Sequence, residues 1–402
     1  MPATQKPAIP ALPLPLILFF LVRIPLLLAL PFDGLRGYGD LLHFYNLADI
    51  PGLPYLSFWI EFPPGFAFLN EALYALAGGV EHVYTYLFVL LLLLADIGSV
   101  ILFTHLERLL YPGVSTPTWR SLGYAALLGG LPYAWWYFDS LTVFFTLLTL
   151  YLVLSRRSSL AAGLALGAGI LIKFFPVLLL PALARTQKLQ RTVMVGGVAL
   201  LMTFLPTILL YRISPEFTRA TLTIQSSRGS LETIWALIDG NYRTGGFGPL
   251  KDRLDPAMAE VSYRNPPVIH PYFLLLPFGA LGLFLFLKAK LNTPARMVAF
   301  YGLTLVIFFL WSPAWSPQWV QHLLPVAFLL LPYSPGLLLT ALLVLVNLLE
   351  WPLLLSRGLF YTLPLTILLR LLLMILLGFF FWREAGSPGS RKMPHATPSS
   401  AI

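Results

Sequence analysis

The sequence predicts an all-α, polytopic transmembrane bundle, and three observations predict it. Hydrophobic residues make up 58% of the chain and charged residues 11%, with a mean hydropathy of +0.79, which excludes a soluble globule. The chain holds about twelve apolar segments, some short or broken by proline, near the roughly 20 residues that a span requires. Charge is also sorted between two sets of loops. Short loops rich in Lys and Arg alternate with longer loops that hold every Asp and Glu except Asp96, Glu107 and Glu384.

The first span covers residues 12–31, so 1–11 read as a cytoplasmic N-terminus. With no small-residue cleavage site before the polar loop, this span is expected to be retained. An external loop over 32–84 follows and is too aromatic for disorder. Within it HFYNLADI and FAFLNEALYALAGG have helix-like apolar spacing, so helices lying along the interface are expected. Later spans are expected near 85–106, 121–135, 139–155, 159–173, 174–184, 192–211, 272–288, 296–311, 318–333, 335–351 and 360–382. The two that meet at Lys173-Phe-Phe-Pro176 are short. One long helix there would export ARTQKLQR and invert every later loop, so a tight hairpin with Lys173 near the outer surface is expected. A second external loop over 212–271 mixes turn signals, DGNYRTGGFGP and YRNPPVIHP, with one helix-like piece, SLETIWALI. Such a long loop carries function or is disordered, and Trp235, Tyr242, Phe247 and Tyr263 argue for order. No internal repeat is present. The residues over 384–402 read as a disordered cytoplasmic tail, and 1–402 as a single membrane domain.

Composition also excludes several chemistries. The net charge of +9 is explained by Lys and Arg in the cytoplasmic loops, so nucleic acid is not an expected partner. Absence of cysteine removes disulfides, thiol nucleophiles and thiolate metal sites. The six histidines are dispersed, and neither HExxH, a P-loop nor GxSxG occurs. No cofactor is expected; a divalent metal between Asp40, Asp139 and Glu61 is conceivable, but the spacing does not require one. With nearly all residues in spans and loops, any chemistry must come from loops and helix ends.

The external acids stand in apolar, aromatic surroundings: FDGLRGYGDLLHFY, WIEFPPG and WWYFDSL. Asp40 opens the stretch DLLHFYNLA and either caps that helix or serves chemistry, with His43 one turn later on the same face. Asp33 competes with it, its bland role being a turn before Gly34. Glu61 precedes Phe62-Pro63-Pro64-Gly65, where paired prolines hold the chain extended; a turn role is equally open. Asp139 starts an external helix after Trp135, Trp136 and Tyr137. Arg228 and Glu232 are four residues apart and would form an ion pair on a helix. A solvated pair of that kind is worth little. In WSPAWSPQWVQHLLP, Gln318 and His322 at i, i+4 would share one helix face pointing out of the membrane, where the His is either simply hydrogen-bonded or functional. Charges inside the spans are costly. Arg23, Asp96 and Arg370 are expected to neutralise one another, whereas Lys173, at the external break, could meet a lipid phosphate.

At these residues the chain resembles a known family. GDLLHFYNLA…LPYLSFWIEFPPG is similar to the first external loop of GT-C membrane glycosyltransferases, especially glycosyltransferase family 87. FDSLTVFFTLLTL with AGLALGAGILIKFFPVLLLPAL resembles that family's second acidic loop and Lys-x-x-Pro segment. RGSLETIWAL resembles its Arg-Gly…Glu stretch, and SPQWVQHLLP its Ser-Pro-Gln-Tyr…Pro motif. In order these cover roughly residues 38–325, with departures at Phe62 and Trp319, where Tyr is usual, and at His322, where Trp is frequent. The resemblance implies a GT-C-like fold and transfer of a hexose, commonly mannose, from a polyprenyl-phosphate donor to a glycolipid, glycan or protein acceptor. The reaction would run with inversion at the extracytoplasmic face of the cell membrane. Asp40 would be the general base. Arg228, Lys173 and His322, assisted by Gln318, would hold the donor phosphate. Asp33, His43, Glu61, Asp139 and Glu232 would orient sugar hydroxyls or those cations. The rival from another class is a lipid or solute transporter with the acids lining a vestibule. Absent repeated halves, and with the acids at one face rather than the midplane, that reading is the weaker.

Overall fold

The structure, a computed structural model, describes residues 13–113, 117–245 and 248–386. The expected cytoplasmic N-terminus, Phe247 and nearly all of the expected tail lie outside the described residues. In chain order the helices are α1 (Pro13–Ala29), α2 (Phe32–Arg36), α3 (Leu41–Ala48), α4 (Pro64–Leu76), α5 (Glu81–Leu110), α6 (Trp119–Gly130), α7 (Tyr133–Trp136), α8 (Asp139–Leu154) and α9 (Ser159–Ile172). After a 3-10 turn at Phe175–Leu179 come α10 (Leu180–Thr186), α11 (Leu189–Ile213), α12 (Pro215–Ser227), α13 (Ile234–Ile238), α14 (Pro271–Lys288), α15 (Pro294–Trp311), α16 (Val320–Leu330), α17 (Tyr333–Leu348) and α18 (Leu363–Gly386). Among the described residues β-structure is limited to two isolated bridges, Pro54–Phe58 and Leu231–Ala314.

The chain is thus an all-α, multi-pass membrane bundle. Six stretches of the described residues are long and apolar enough to cross a bilayer: Glu81–Leu110, Leu189–Ile213, Pro271–Lys288, Pro294–Trp311, Ser334–Arg357 and Phe360–Gly386. Shorter apolar helices fill the expected places between them. The first external loop contains α2, α3 and α4, so both helices expected there form.

The hairpin at Lys173 can be read from packing. Gly163 lies against Val195 and Val198 of α11, and Gly167 against Ala199 and Met202. Both contacts advance together, so α9 and α11 run parallel, and the segment between them must cross back. Lys173 breaks the helix in extended conformation (φ −159°, ψ 143°). Pro176 then starts the return, where its missing N–H costs nothing, and sits against Gly169. At the other end the basic loops gather. Arg191 donates to the Leu152 and Arg157 carbonyls (3.3 and 3.2 Å), and Arg185 to the Ala289 carbonyl (3.1 Å). SRRSS, ARTQKLQR and KAKLN therefore share one face of the bundle.

Charges inside the bundle are paired, but not as one group of three. Arg23 meets Asp96 at 3.1 Å, both almost fully buried, and Arg23 also donates to the Gly129 carbonyl at 2.9 Å. Phe19 and Trp135 rings flank its guanidinium at 5.2 and 4.8 Å. Arg370 instead pairs with Glu350 and donates to the Glu232 carbonyl. The large loop also differs from expectation. Its longest helix is α12, whose polar composition hides it in a hydropathy reading. Thr218, Ala220, Thr221 and Ile224 form its buried face. SLETIWALI is helical only over Ile234–Ile238. Its start is non-helical, with Glu232 at φ +52°, and is stapled to the segment after α15 by Leu231 N–H to Pro313 O (3.0 Å) and Trp315 N–H to Leu231 O (2.9 Å).

Lys188 and Glu260 are exposed at opposite ends of the bundle, and the chain contains no cysteine. In intact cells a membrane-impermeant maleimide is expected to label Glu260→Cys and to label Lys188→Cys only after permeabilisation.

Candidate functional site

The GYGD turn sets the position of Asp40. A Cβ on Gly37 would lie 2.5 Å from the Trp136 indole, and one on Gly39 2.3 Å from Trp136 Cβ. Only hydrogen fits at both, and Gly37 also has φ +55°. The Asp40 N–H donates to the Trp136 carbonyl at 3.2 Å, which brings Asp40 beside the WWYFD segment. Asp40 stands at the N-cap of α3, yet its carboxylate makes no capping bond; of the two roles the sequence left open for it, the cap is absent. Nor does His43 turn to it. Asp40 is half-buried, and His43, Glu61, Lys173 and Asp139 are the charges around its carboxyl. Burial pushes that carboxyl up to about 6, with Glu61 and Asp139 adding to the rise and His43 and Lys173 opposing it.

Glu61 is the centre of a cation cluster. Its carboxylate accepts from His43 Nε2 at 3.0 Å, lies 3.0 Å from Arg228 Nη2, and takes both Arg253 Nη1 and Nη2, the latter at 3.1 Å. Glu61 and Arg253 are buried; Arg228 is 28% exposed. Burial works to raise the Glu61 carboxyl, but Arg253, Arg228 and His43 outweigh it and hold it well below the usual carboxylate range. Trp59 completes the joint between loops. Its indole N–H donates to the Asp252 and Asp255 carbonyls (3.0 Å each), and the Arg253 guanidinium stacks over its ring at 4.6 Å.

Asp139 forms a second cluster at the start of α8. It is fully buried and accepts from Lys173 Nζ at 2.9 and 2.8 Å and from His322 Nε2 at 3.0 Å. The Lys173 ammonium is surrounded by the Phe138, Phe175 and Trp319 rings at 5.0, 5.3 and 5.8 Å. Next to His322, Gln321 donates to the Tyr133 carbonyl and accepts from Ser140 Oγ, both at 3.1 Å.

Several sequence expectations are corrected. Gln318 and His322 do not share one face of a helix pointing outward: Gln318 sits in a 3-10 turn at Pro317–Trp319 with its Oε1 buried and unpartnered, while His322 is buried against Asp139. Arg228 and Glu232 do not pair, because α12 ends at Ser227 and Gly229 (φ +71°) turns the chain before Glu232. Arg228 reaches Glu61 instead. Glu232 is buried near Glu350 and Arg370; burial first, then the Glu350 charge, push its carboxyl up to about 7. Asp33 stands apart: its side chain is 86% exposed on Arg36 (3.4 Å), and it is not among the charges around Asp40. Among the described residues no three His, Asp or Glu converge as a metal-binding group. Arg253 was missed by the sequence reading. Its LKDRLDP surroundings look like an ordinary solvated loop, and only the burial of Glu61 reveals what it does.

An apolar groove of about 340 Å³ adjoins the Glu61 cluster. Phe62, Pro63 and Pro64 form one wall, and Phe204, Ile208 and Tyr211 of α11 another. The α11 wall is 48–57% exposed at these three residues, so the groove opens toward the surrounding bilayer. Gln225, also lining the groove, donates to the Glu61 carbonyl.

The two acids differ in what their removal should do. Asp139→Asn leaves the Lys173 charge in an aromatic cage without its counter-ion and is expected to cost roughly 3 kcal/mol, read as a lowered Tm. Asp40→Asn is expected to leave Tm unchanged or raise it, since its carboxylate has no hydrogen bond or ion pair among the described residues and folding disfavours the Asp40 charge.

No family model matches the chain, and no curated protein matches it either. Two solved structures of the Archaeoglobus fulgidus oligosaccharyltransferase are similar to it. One, tethered with an acceptor peptide containing the NVT sequon, has 12% identity and a TM-score of 0.39 and covers 94% of this chain. The other, in complex with Zn and sulfate, has 13% identity and a TM-score of 0.38 and also covers 94%. The chain spans about half the length of both, 55% and 54%. A likeness of this degree assigns no activity to the chain.

Proposed function

We propose that this protein is a GT-C-type membrane glycosyltransferase that moves a hexose, mannose first among the candidates, from a polyprenyl-phosphate donor to an acceptor hydroxyl at the external face of the cell membrane. The observation that carries the reading is Asp40, a carboxylate with no hydrogen bond or ion pair among the described residues, set between two ion clusters of which one, at Glu61, adjoins a bilayer-open groove. The ordered resemblance of residues 38–325 to glycosyltransferase family 87 supports the same reaction class.

In this reading the acceptor oxygen attacks the anomeric carbon while Asp40 takes its proton. The new C–O bond forms as the bond from that carbon to the phosphate oxygen breaks, and the leaving polyprenyl phosphate departs with the electron pair, so the centre inverts. The leaving group is an anion already and needs cations rather than an acid. Two arginines and His43 share the single Glu61 carboxylate, which leaves Arg228, the more exposed of the two arginines there, with charge to offer a phosphate. Lys173 and His322, both bound to Asp139, would act at closer range to the sugar or by holding Asp139 in place. The groove beside Phe62 and Ile208 fits the isoprenoid tail, whose apolar surface gains from leaving neither lipid nor protein. A proton acceptor with a carboxyl titrating near 6 is charged at neutral pH and still basic enough to be useful.

The test is transfer of labelled sugar by purified protein in lipid from a panel of polyprenyl-phosphate sugars, mannose first, to a membrane lipid extract. Wild type and Asp33→Asn are expected to form product, and Asp40→Asn to lose at least about a hundredfold in rate. The rate is expected to rise with pH and level off above about 6, as the Asp40 carboxylate forms. No product from any donor of the panel overturns the reading.

A further inference from the structure

A second surface adjoins Asp40 and is not used by the donor side described above. Two residues before Asp40, the Tyr38 ring is 51% exposed, and its hydroxyl has no partner among the described residues. It meets Trp136 and Trp351 edge to face, with ring centres 6.3 and 6.1 Å away. Trp351 is fixed from several directions. Its indole N–H donates to the Tyr38 carbonyl and the Tyr137 hydroxyl, both at 3.0 Å, and its carbonyl accepts from the Tyr133 hydroxyl. Tyr137 is buried beneath this rim and feels the charges of both Asp40 and Glu232. Glu232, 3% exposed, keeps its Oε2 unpartnered. A rigid aromatic rim, with a buried carboxyl near it that bonds Thr244 and keeps one oxygen unpartnered among the described residues, is therefore built beside the proposed base.

We propose that this rim binds a carbohydrate, so that the acceptor is a sugar: a pyranose ring packs on Tyr38 and Trp351, and Glu232 bonds to its hydroxyls. The proposal rests on the glycosyl-transfer reading and names its acceptor class. The chemistry is that of a ring with apolar C–H faces and polar edges, which matches aromatic rings set beside a carboxyl group. Bilayer-facing belt aromatics turn their polar tips to water. Trp351 does the opposite: its N–H is turned inward onto Tyr38 and Tyr137, as expected of a residue held rigid for a ligand. An extended peptide would need free backbone partners along the rim, and the Tyr38 carbonyl there is already taken by Trp351 and Tyr137.

The experiment is saturation-transfer NMR on the full chain in lipid nanodiscs, with methyl glycosides of mannose, glucose, galactose and N-acetylglucosamine, and with a Ser/Thr-containing peptide. At least one glycoside is expected to show saturable transfer to its ring C–H protons. Binding should weaken about tenfold in Tyr38→Ala and return in Tyr38→Phe. It should be unaffected by Tyr361→Ala, an aromatic 79% exposed elsewhere. No glycoside binding, binding indifferent to Tyr38→Ala, or capture of the peptide instead overturns the proposal. The outcomes separate it from the transfer reading. Glycoside binding without sugar transfer from any donor keeps this site and removes the enzyme, whereas transfer unaffected by Tyr38→Ala removes only this site.

Discussion

Glu61 is the constraint on which the acid-rich end of the bundle depends. A buried carboxylate is tolerated only when cations and hydrogen bonds replace the water it has lost. Glu61 draws His43 from α3, Arg228 from the end of α12 and Arg253 from the large loop onto one group. Two loops almost 200 residues apart in the chain are thereby closed onto each other, with Trp59 bonding the same joint through Asp252 and Asp255. The FPPG turn that follows Glu61 is fixed in place as a result, and that turn is one wall of the groove facing α11. Loss of this one acid would remove the counter-charge that the two guanidinium groups share.

Asp139 does comparable work on the membrane side. It joins α8 to the break at Lys173 and to α16 through His322, so the ends of three apolar elements meet at one carboxylate. Between these two acids Asp40 has no hydrogen-bond or ion-pair partner among the described residues. The contrast is what gives the site direction: neighbours that are held fixed, and one acid left able to gain or lose a proton. On the proposed reading, the rigid acids organise charge for the donor, and the unengaged one moves the proton.

Much of the fold was legible because bilayer crossing leaves a coarse, one-dimensional signal. The twelve expected spans all correspond to helices or helix pairs, down to the short pair around Pro176, where charge sorting decided against one long helix. The large external loop was less legible. In α12, Thr218 and Thr221 are buried with Ala220 and Ile224, a mix that hydropathy does not separate from a solvated surface. SLETIWALI has helical spacing, but Leu231 is drawn into backbone bonds with Pro313 and Trp315, and pairing across the chain overrides local preference.

For the site, residue type and setting were enough to single out Asp40, Glu61, Asp139, Lys173, Arg228 and His322, because ionisable groups among aromatic residues at span ends are rare. Their partners were not. Arg228 was assigned to Glu232 by spacing, which holds only if the helix continues; Gly229 ends it, and the arginine finds Glu61. Arg370 was grouped with Asp96, but Glu350 lies closer. Arg253 carried no local mark at all. The sequence alone sorted the acids and the basic loops into separate sets, since charge and hydropathy act along the chain without reference to distant residues. Which acid is bound and which is left open was decided only by tertiary structure, because a buried charge takes its counter-ion from whichever segment folding brings within about 3 Å, however far away in sequence.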